Sequence, residues 1–152
     1  MITSRNQLYQ ALFAQTLTLP NIALRSRRMP TMDVLKASLT TGQTAIIQQQ
    51  VSENVVTEQH FALPPHYLVR VDWLLIAPTP MELMSEIPSV PLNDLVDAIE
   101  TLFPSYVDGA TGINNLGIDS VERCMVSGEI YYHESLTDNM SWVLIPLLIS
   151  CV

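Results

Sequence analysis

The stretch HYLVRVDWLLI at residues 66–76 is the strongest structural signal in the chain. Its odd-numbered positions are aromatic or aliphatic, and they alternate with a second set that includes Arg70 and Asp72. Alternation with a period of two is typical of a β-strand that buries one face. Residues 66–76 are therefore predicted to form a long strand.

The C-terminal segment predicts a β-hairpin. Residues 121–132 and 142–149 resemble strands, and the polar residues 136–139 between them suit a turn. Both alternating sets of the second strand are apolar, namely Val143, Ile145, Leu147 and Ile149 on one side and Trp142, Leu144 and Leu148 on the other. A sheet with one wet face does not contain such a strand, so either the fold covers both faces or a neighbouring subunit covers one. Pro146 lacks an N–H for the ladder and predicts an edge strand or a bulge.

Two segments have helical periodicity. Residues 4–16 open with Ser4 and Gln7 at the spacing of a capping box. Residues 92–103 repeat apolar side chains every third and fourth position, after a proline suited to a first turn and before Pro104, which ends the helix.

The remaining segments give weaker signals. Residues 22–28 and 44–51 are predicted to be extended, and the polar residues 52–60 are predicted to form a loop. The pattern of residues 30–42 is compatible with either a helical turn or a loop. The whole chain, residues 1–152, is predicted to be one α+β domain, a mainly antiparallel sheet with two helices packed on one face.

Composition narrows the class of protein. With 152 residues the chain fits one domain with a sizeable core. Only 14% of its residues are charged, against about a quarter in typical domains, which suggests surface reserved for other chains. The longest apolar run, residues 142–152, is shorter than the roughly 20 residues that a membrane-spanning helix needs, and the N-terminus lacks a signal-peptide pattern. We therefore expect no membrane association.

Charge is divided unevenly along the chain. Residues 1–50 carry five Arg or Lys and one Asp, a net charge of +4, whereas residues 51–152 carry two Arg and fourteen acidic residues, a net charge of −12. The largely acidic chain is a poor candidate for wrapping nucleic acid, which needs many cations. Arg25, Arg27 and Arg28 form the only basic cluster in the sequence and suit an acidic partner, including the acidic part of an identical neighbour.

The sequence contains little that predicts catalysis. Glycine-rich phosphate loops, dinucleotide fingerprints and nucleophile elbows are absent from it. His60 and His66 lie near Glu58, but their spacing does not match zinc signatures, and a solvated loop is the better interpretation. His133 is interpreted as part of a surface turn.

Cys124 and Cys151 lack the CxxC pattern and are predicted to be reduced, buried thiols. Asp94, Asp97 and Glu100 form a row on the second predicted helix, which is usually a solvated face. We therefore predict no catalytic, cofactor-binding or metal-binding residues.

The order of these segments resembles the tail terminator, or tail completion, proteins of tailed bacteriophages. The likeness covers nearly the whole chain and is one of order and spacing. It is best at three places, which are residues 26–29 (SRRM), residues 92–102 (LNDLVDAIETL), and the C-terminal hairpin with residues 115–117 (NLG), 128–130 (GEI) and 145–147 (IPL).

The resemblance implies a virion protein, assembled in the bacterial cytoplasm, that forms a ring, typically a hexamer. Such a ring ends polymerisation at the head-proximal end of the tail tube and joins the tail to the connector or stopper of the head, while DNA only passes through its lumen. Its partners would be copies of itself, the tail tube protein and the connector. We expect Arg25, Arg27 and Arg28 to make charged contacts, and Trp142, Leu144 and Leu148 to make apolar ones.

Two alternatives remain. The chain could be another component of the neck or tail tube, since these components share a small α+β scaffold. In a different class, it could be a small enzyme or ligand-binding domain that uses the loops at residues 52–65 and 108–120.

Overall fold

The computed structural model describes residues 1–57, 65–79, 90–105, 112–133 and 139–152. Within these residues the chain forms three α-helices and six β-strands. In chain order they are α1 (Arg5–Ala14), β1 (Ile22–Ser26), α2 (Met32–Ser38), β2 (Thr44–Val56), β3 (His66–Pro78), α3 (Val90–Leu102), β4 (Val121–Val126), β5 (Tyr131–His133) and β6 (Met140–Cys151). A 3₁₀ turn, Gln15–Thr18, follows α1 directly.

The strands form one sheet in the order β1-β2-β3-β6-β4, and β5 pairs with β6 on the same side as β4. Strands β1 and β2 are parallel, and the other pairs are antiparallel. The predicted α+β class and the mainly antiparallel sheet are therefore confirmed. The predicted strand at residues 66–76 is β3, which lies between β2 and β6 at the centre of the sheet.

The two faces of the sheet carry different buried clusters. On the inner face, Val69, Val71, Trp73 and Leu75 of β3 pack in one cluster with side chains of α1 and α3. On the outer face, Leu35 and Leu39 from α2 and its C-terminal end pack with a smaller cluster that includes Ile47, Ile76 and Met140. Helix α2 settles the alternative left open at residues 30–42 in favour of a helix, with Thr31 as its N-cap.

Helix α1 begins as its sequence predicts. The side chain of Ser4 accepts a hydrogen bond from the backbone N–H of Gln7, and the Gln7 side chain returns to the backbone of Ser4, so the capping box is complete. The helix is also tied to the sheet, because the hydroxyl of Tyr9 donates to Glu53 at 2.9 Å and Arg5 pairs with the same carboxylate. Burial and this hydrogen bond raise the pKa of Tyr9 to about 12.

Gln48 is a buried polar side chain at the junction of α1, β2 and β3. Its amide nitrogen donates to the backbone carbonyl of Tyr9 at 2.9 Å, and its amide oxygen accepts the indole N–H of Trp73 at 3.1 Å. Trp73 in turn packs edge-to-face on Phe103, with ring centroids 5.4 Å apart, at the end of α3. One amide therefore satisfies the polar groups buried where helices and sheet meet.

Strand β2 is longer than predicted. The prediction of a loop at residues 52–60 is wrong for residues 52–56, which pair with residues 66–70 of β3. The alternation of β3 continues to His66, and the antiparallel partner supplies backbone hydrogen bonds even where the β2 side chains are polar. Residues 58–60 lie outside the described residues. The register shifts between Gln50 and Ser52, which indicates a bulge at Val51.

The prediction that Pro146 lies on an edge strand is wrong, because β6 lies between β3 on one side and β4 and β5 on the other. The alternative, an irregularity of the ladder, is found in the neighbouring strands, where residues 127–130 lie opposite residues 145–146. The carbonyl of Pro146 accepts a hydrogen bond from the N–H of Ser127. The backbone nitrogen and the carbonyl of Pro146 therefore both point away from β3, toward the side of β6 where β4 and β5 lie. The first arm of the predicted hairpin is interrupted here, since β4 ends at Val126 and β5 begins at Tyr131. The nitrogen of Pro146, which carries no hydrogen, thus faces the gap between β4 and β5, and the ladder between β6 and β3 loses no hydrogen bond.

Replacing Gln48 with Ala should destabilise the protein by about 1–3 kcal/mol, because the buried indole N–H of Trp73 loses its acceptor and the Tyr9 carbonyl loses the amide donor. Gln50→Ala is the matched control: this exposed glutamine lies two residues away on β2, and its loss should change stability by less than about 0.5 kcal/mol. Urea denaturation followed by tryptophan fluorescence measures both. Equal stabilities of the two variants would contradict the proposed role of the amide.

Gly128 should tolerate no side chain. Its φ is +124°, and an added Cβ would lie 3.2 Å from Cγ of Pro146. We expect Gly128→Ala to cost more than Gly117→Ala, where φ is +71° and the space is open. Thermal unfolding measures the difference, and Gly128→Ala combined with Pro146→Ala should recover the part caused by the clash. A smaller loss at Gly128 than at Gly117 would refute this account.

Candidate interaction surface

The outer face of the sheet carries an apolar cavity of about 430 Å³. Helix α2 and strands β3, β5 and β6 form its walls. The lining residues are Met29, Met32, Leu35, Leu74, Ile76, His133, Met140, Trp142 and Leu144. Since three methionines with adaptable side chains lie in this wall, the cavity can adjust to an apolar group that enters it.

Aromatic side chains hold one wall of this cavity. The ring of His133 stacks on Trp142 at a centroid distance of 4.8 Å, and Tyr131 packs on the same indole at 5.7 Å. The pairing of β5 with β6 produces these contacts, because Tyr131 lies opposite Leu144 and His133 lies opposite Trp142. His133 therefore belongs to the aromatic wall and not to a solvated turn.

The apolar residues predicted for contact all lie on the outer face. Trp142, Leu144 and Leu148 are half-buried, while the alternate residues of β6 from Val143 to Ile149 are buried in the inner cluster. Trp142 and Leu144 line the cavity, and Leu148 lies further along, opposite Arg70 of β3. Leu35 of α2 packs in the same buried cluster as Ile76 and Met140.

The three predicted arginines separate into two kinds. Arg25 is half-buried, and its guanidinium donates to the backbone carbonyls of Thr16 at 3.3 Å and Ile22 at 3.5 Å. It therefore holds the 3₁₀ turn against β1. Arg27 and Arg28 are exposed just beyond the end of β1.

The chain turns tightly at the two exposed arginines. The hydroxyl of Ser26 accepts the N–H of Arg28 at 3.0 Å and donates to its carbonyl. Arg27, Arg28 and Met29 line a second concavity, whose other wall is residues 48–50 of β2. Because Met29 lines both concavities, the basic surface adjoins the apolar cavity directly.

Sequence reasoning did not identify Met29, Met32 or His133 as part of this surface. A signal was present for one of them, since Met32 and Leu35 are three residues apart and share a helical face. Met29 and His133 reach the cavity through a loop and a three-residue strand, which have no periodicity to detect.

Asp72 lies in the middle of the outer face, opposite Gln49 of β2 and Pro146 of β6. Burial raises the pKa of its carboxyl, and the positive charge of Arg70 only partly opposes this shift. A half-buried carboxylate on an apolar face costs stability in the isolated chain.

The candidates for chemistry lie apart from this surface. His66 pairs with Glu122, with Nδ1 3.3 Å from Oε1, while Glu58 and His60 lie outside the described residues. Cys124 and Cys151 are buried and unpaired, as predicted, and burial raises the pKa of the Cys124 thiol. In the part of the chain that the structure describes, no three His, Cys, Asp or Glu side chains are grouped to hold a metal ion. Nor does a helix in this part have the length and apolarity to cross a membrane.

Comparisons with protein families and with curated proteins give no relative. No family model matches the chain, and no curated protein matches it.

Asp72→Asn should raise the melting temperature at pH 7. The pKa of the Asp72 carboxyl is higher in the folded protein than in the unfolded chain, so the folded protein loses stability as the pH rises through the interval between these two pKa values. The amide of Asn cannot ionise and avoids this loss. The gain should therefore shrink as the pH falls through the same interval. Differential scanning calorimetry across this range measures it, with Asp119→Asn at an exposed site as the control. A gain that is independent of pH would contradict burial of the charge as its cause.

Proposed function

We propose that this protein is a structural assembly protein that forms a ring at the head-proximal end of a bacteriophage tail tube. The ring, a hexamer in this proposal, ends tube polymerisation and offers its other side to the head connector. The observation that carries the proposal is the apolar cavity beside the exposed Arg27–Arg28 pair. An apolar cavity next to exposed charge is typical of a surface that another protein covers.

Strand β6 supports the same conclusion. Its outer side chains, Trp142, Leu144 and Leu148, are only half-buried although they are large and apolar. Leaving them half-exposed is unfavourable for an isolated monomer, since burying a side chain of this size contributes about 1.5–3 kcal/mol. Contact with a neighbouring subunit would recover that free energy, which is the second of the two alternatives that the sequence left open.

The charge distribution also suits a ring through which DNA passes. The chain carries a net charge of −8, and most of its acidic residues belong to residues 51–152. A lumen lined by carboxylates would repel the phosphate backbone and let DNA move without adhering. In this proposal the protein acts through shape and charge, without catalysis or a bound cofactor.

Another component of the neck or tail tube is the closest alternative, because the same surface would serve contacts between rings. Electron microscopy of labelled particles separates the two. A tube subunit repeats along the tail, whereas a terminator occurs at one level only.

A ligand-binding domain is the alternative from a different class. The cavity volume of about 430 Å³ lies within the range of small-molecule sites. However, the cavity lies beside α2 and β6 and not at the loops that the sequence suggested for ligand binding. A thermal-shift screen with apolar metabolites tests this alternative, which predicts saturable stabilisation that Leu144→Trp abolishes.

Deleting the gene from its phage should give tails of uncontrolled length, or tails that do not attach to heads. Electron microscopy of lysates measures tail length and the fraction of tails joined to heads. Supplying the wild-type chain from a plasmid should restore both, and so should the Asp119→Asn variant, whose exposed side chain lies outside both concavities. Tails of normal length attached to heads in the deletion strain would refute the proposal.

A further inference from the structure

The outer face of the sheet carries one half of a candidate protein contact, the basic rim with its apolar cavity, which we call the acceptor surface. Arg27 and Arg28 carry two positive charges at its rim, and the apolar cavity begins at Met29, which is 55% exposed. An occupant should therefore carry negative charge beside an apolar or aromatic side chain, with the spacing of neighbouring residues on one surface.

A surface of that chemistry lies on the opposite side of the same chain. Helix α3 buries Leu92, Leu95, Val96 and Ile99 and leaves the carboxylates of Asp94, Asp97 and Glu100 exposed. Positions three residues apart lie close together on a helix, so these carboxylates form one acidic stripe. The stripe faces away from the sheet because the apolar residues of α3 face the inner cluster.

An aromatic side chain lies beside this stripe. Tyr132 of β5 is opposite Val143, whose side chain belongs to the inner cluster, and it is 42% exposed. Tyr132 therefore lies on the face of the sheet that α3 covers. Burial raises the pKa of Tyr132, and the charges of Glu100 and Asp97 raise it further. Tyr132 and the stripe thus combine an aromatic ring with two negative charges.

We infer that copies of this chain join head to tail, with the α3 stripe of one copy on Arg27 and Arg28 of the next and Tyr132 directed at the apolar cavity. This inference rests on the proposed function and identifies the two surfaces that would build the ring. The occupant of this surface is a second copy of the chain, because the rim of the cavity is basic while the α3 stripe of the same sequence supplies the complementary negative charge.

The placement of the two surfaces determines the kind of symmetry. The acceptor lies on the outer face of the sheet, and the stripe lies on the helix layer that covers the inner face. Contact between two different surfaces is heterologous, and repeating it generates a closed ring or an open filament but never a two-fold dimer. Tail-tube symmetry would select the closed ring.

Charge reversal of each surface tests the inference. R27E/R28E makes both surfaces acidic, and D97K/E100K makes both basic, so each variant alone should self-associate more than about a hundredfold more weakly than the wild type. Mixing the two variants pairs opposite charges at every contact and should restore association. Sedimentation velocity measures assembly, and native mass spectrometry should find the two variants in equal numbers.

Two further variants keep the test independent of folding. R27E/R28E/D97K/E100K exchanges the charges of both surfaces within one chain and should associate by itself. D119K/E129K makes the same charge change as D97K/E100K at exposed sites outside both surfaces and should associate as the wild type does. Circular dichroism checks the fold of every variant, since all substituted side chains are exposed.

Several results would overturn the inference. They are a mixture that stays dissociated, a D97K/E100K variant that assembles normally, and a wild-type chain that stays monomeric at all accessible concentrations. Recovery of tail-tube binding without recovery of self-association would assign the surfaces to the tube instead. Failure of the proposed function is a separate result, because normal tails from the deletion strain can coincide with complete rescue in the mixture.

Discussion

The buried amide of Gln48 is the interaction on which the arrangement of this protein depends. Trp73 occupies the centre of the inner face, where an unpaired indole N–H would be costly, and Gln48 is its cross-strand neighbour. By also binding the carbonyl of Tyr9, the same amide places α1 over the sheet. Because a shift of one residue would exchange the faces of β3, this pairing also directs Leu74 and Ile76 outward, where they line the apolar cavity.

The elements that the sequence predicted well have strong local signals. Strand β3 alternates over its whole length, α1 has a capping box, and α3 has a regular apolar stripe between two prolines. The errors arose where distant residues decide the structure. Residues 52–54 are polar, and the segment 52–56 becomes a strand because β3 pairs with it. Pro146 is accepted inside the sheet because β4 and β5 part opposite it.

The candidate surface divides in the same way. Trp142 and Leu144 could be selected from sequence because both faces of one strand were apolar, and they do line the cavity. The three arginines form one cluster in the sequence. In the fold, however, Arg25 donates a hydrogen bond to the carbonyl of Thr16 in its own chain, while Arg27 and Arg28 remain exposed. Side chains alternate along an extended segment, but hydrogen bonds to a neighbouring turn decide which of them stays available, and those bonds depend on tertiary structure.

The interruption opposite Pro146 also affects how the molecule behaves when many copies are crowded together. It divides one border of the sheet into pieces of six and three residues, β4 and β5, while the bulge at Val51 breaks the free part of β2 on the other border. Neither border in the described part of the chain then offers a long, regular row of open backbone groups, which is the template for amyloid-like stacking. Copies at high local concentration would therefore contact one another through side chains on the faces of the molecule and not through sheet edges. Fibril formation would then interfere little with ordered assembly.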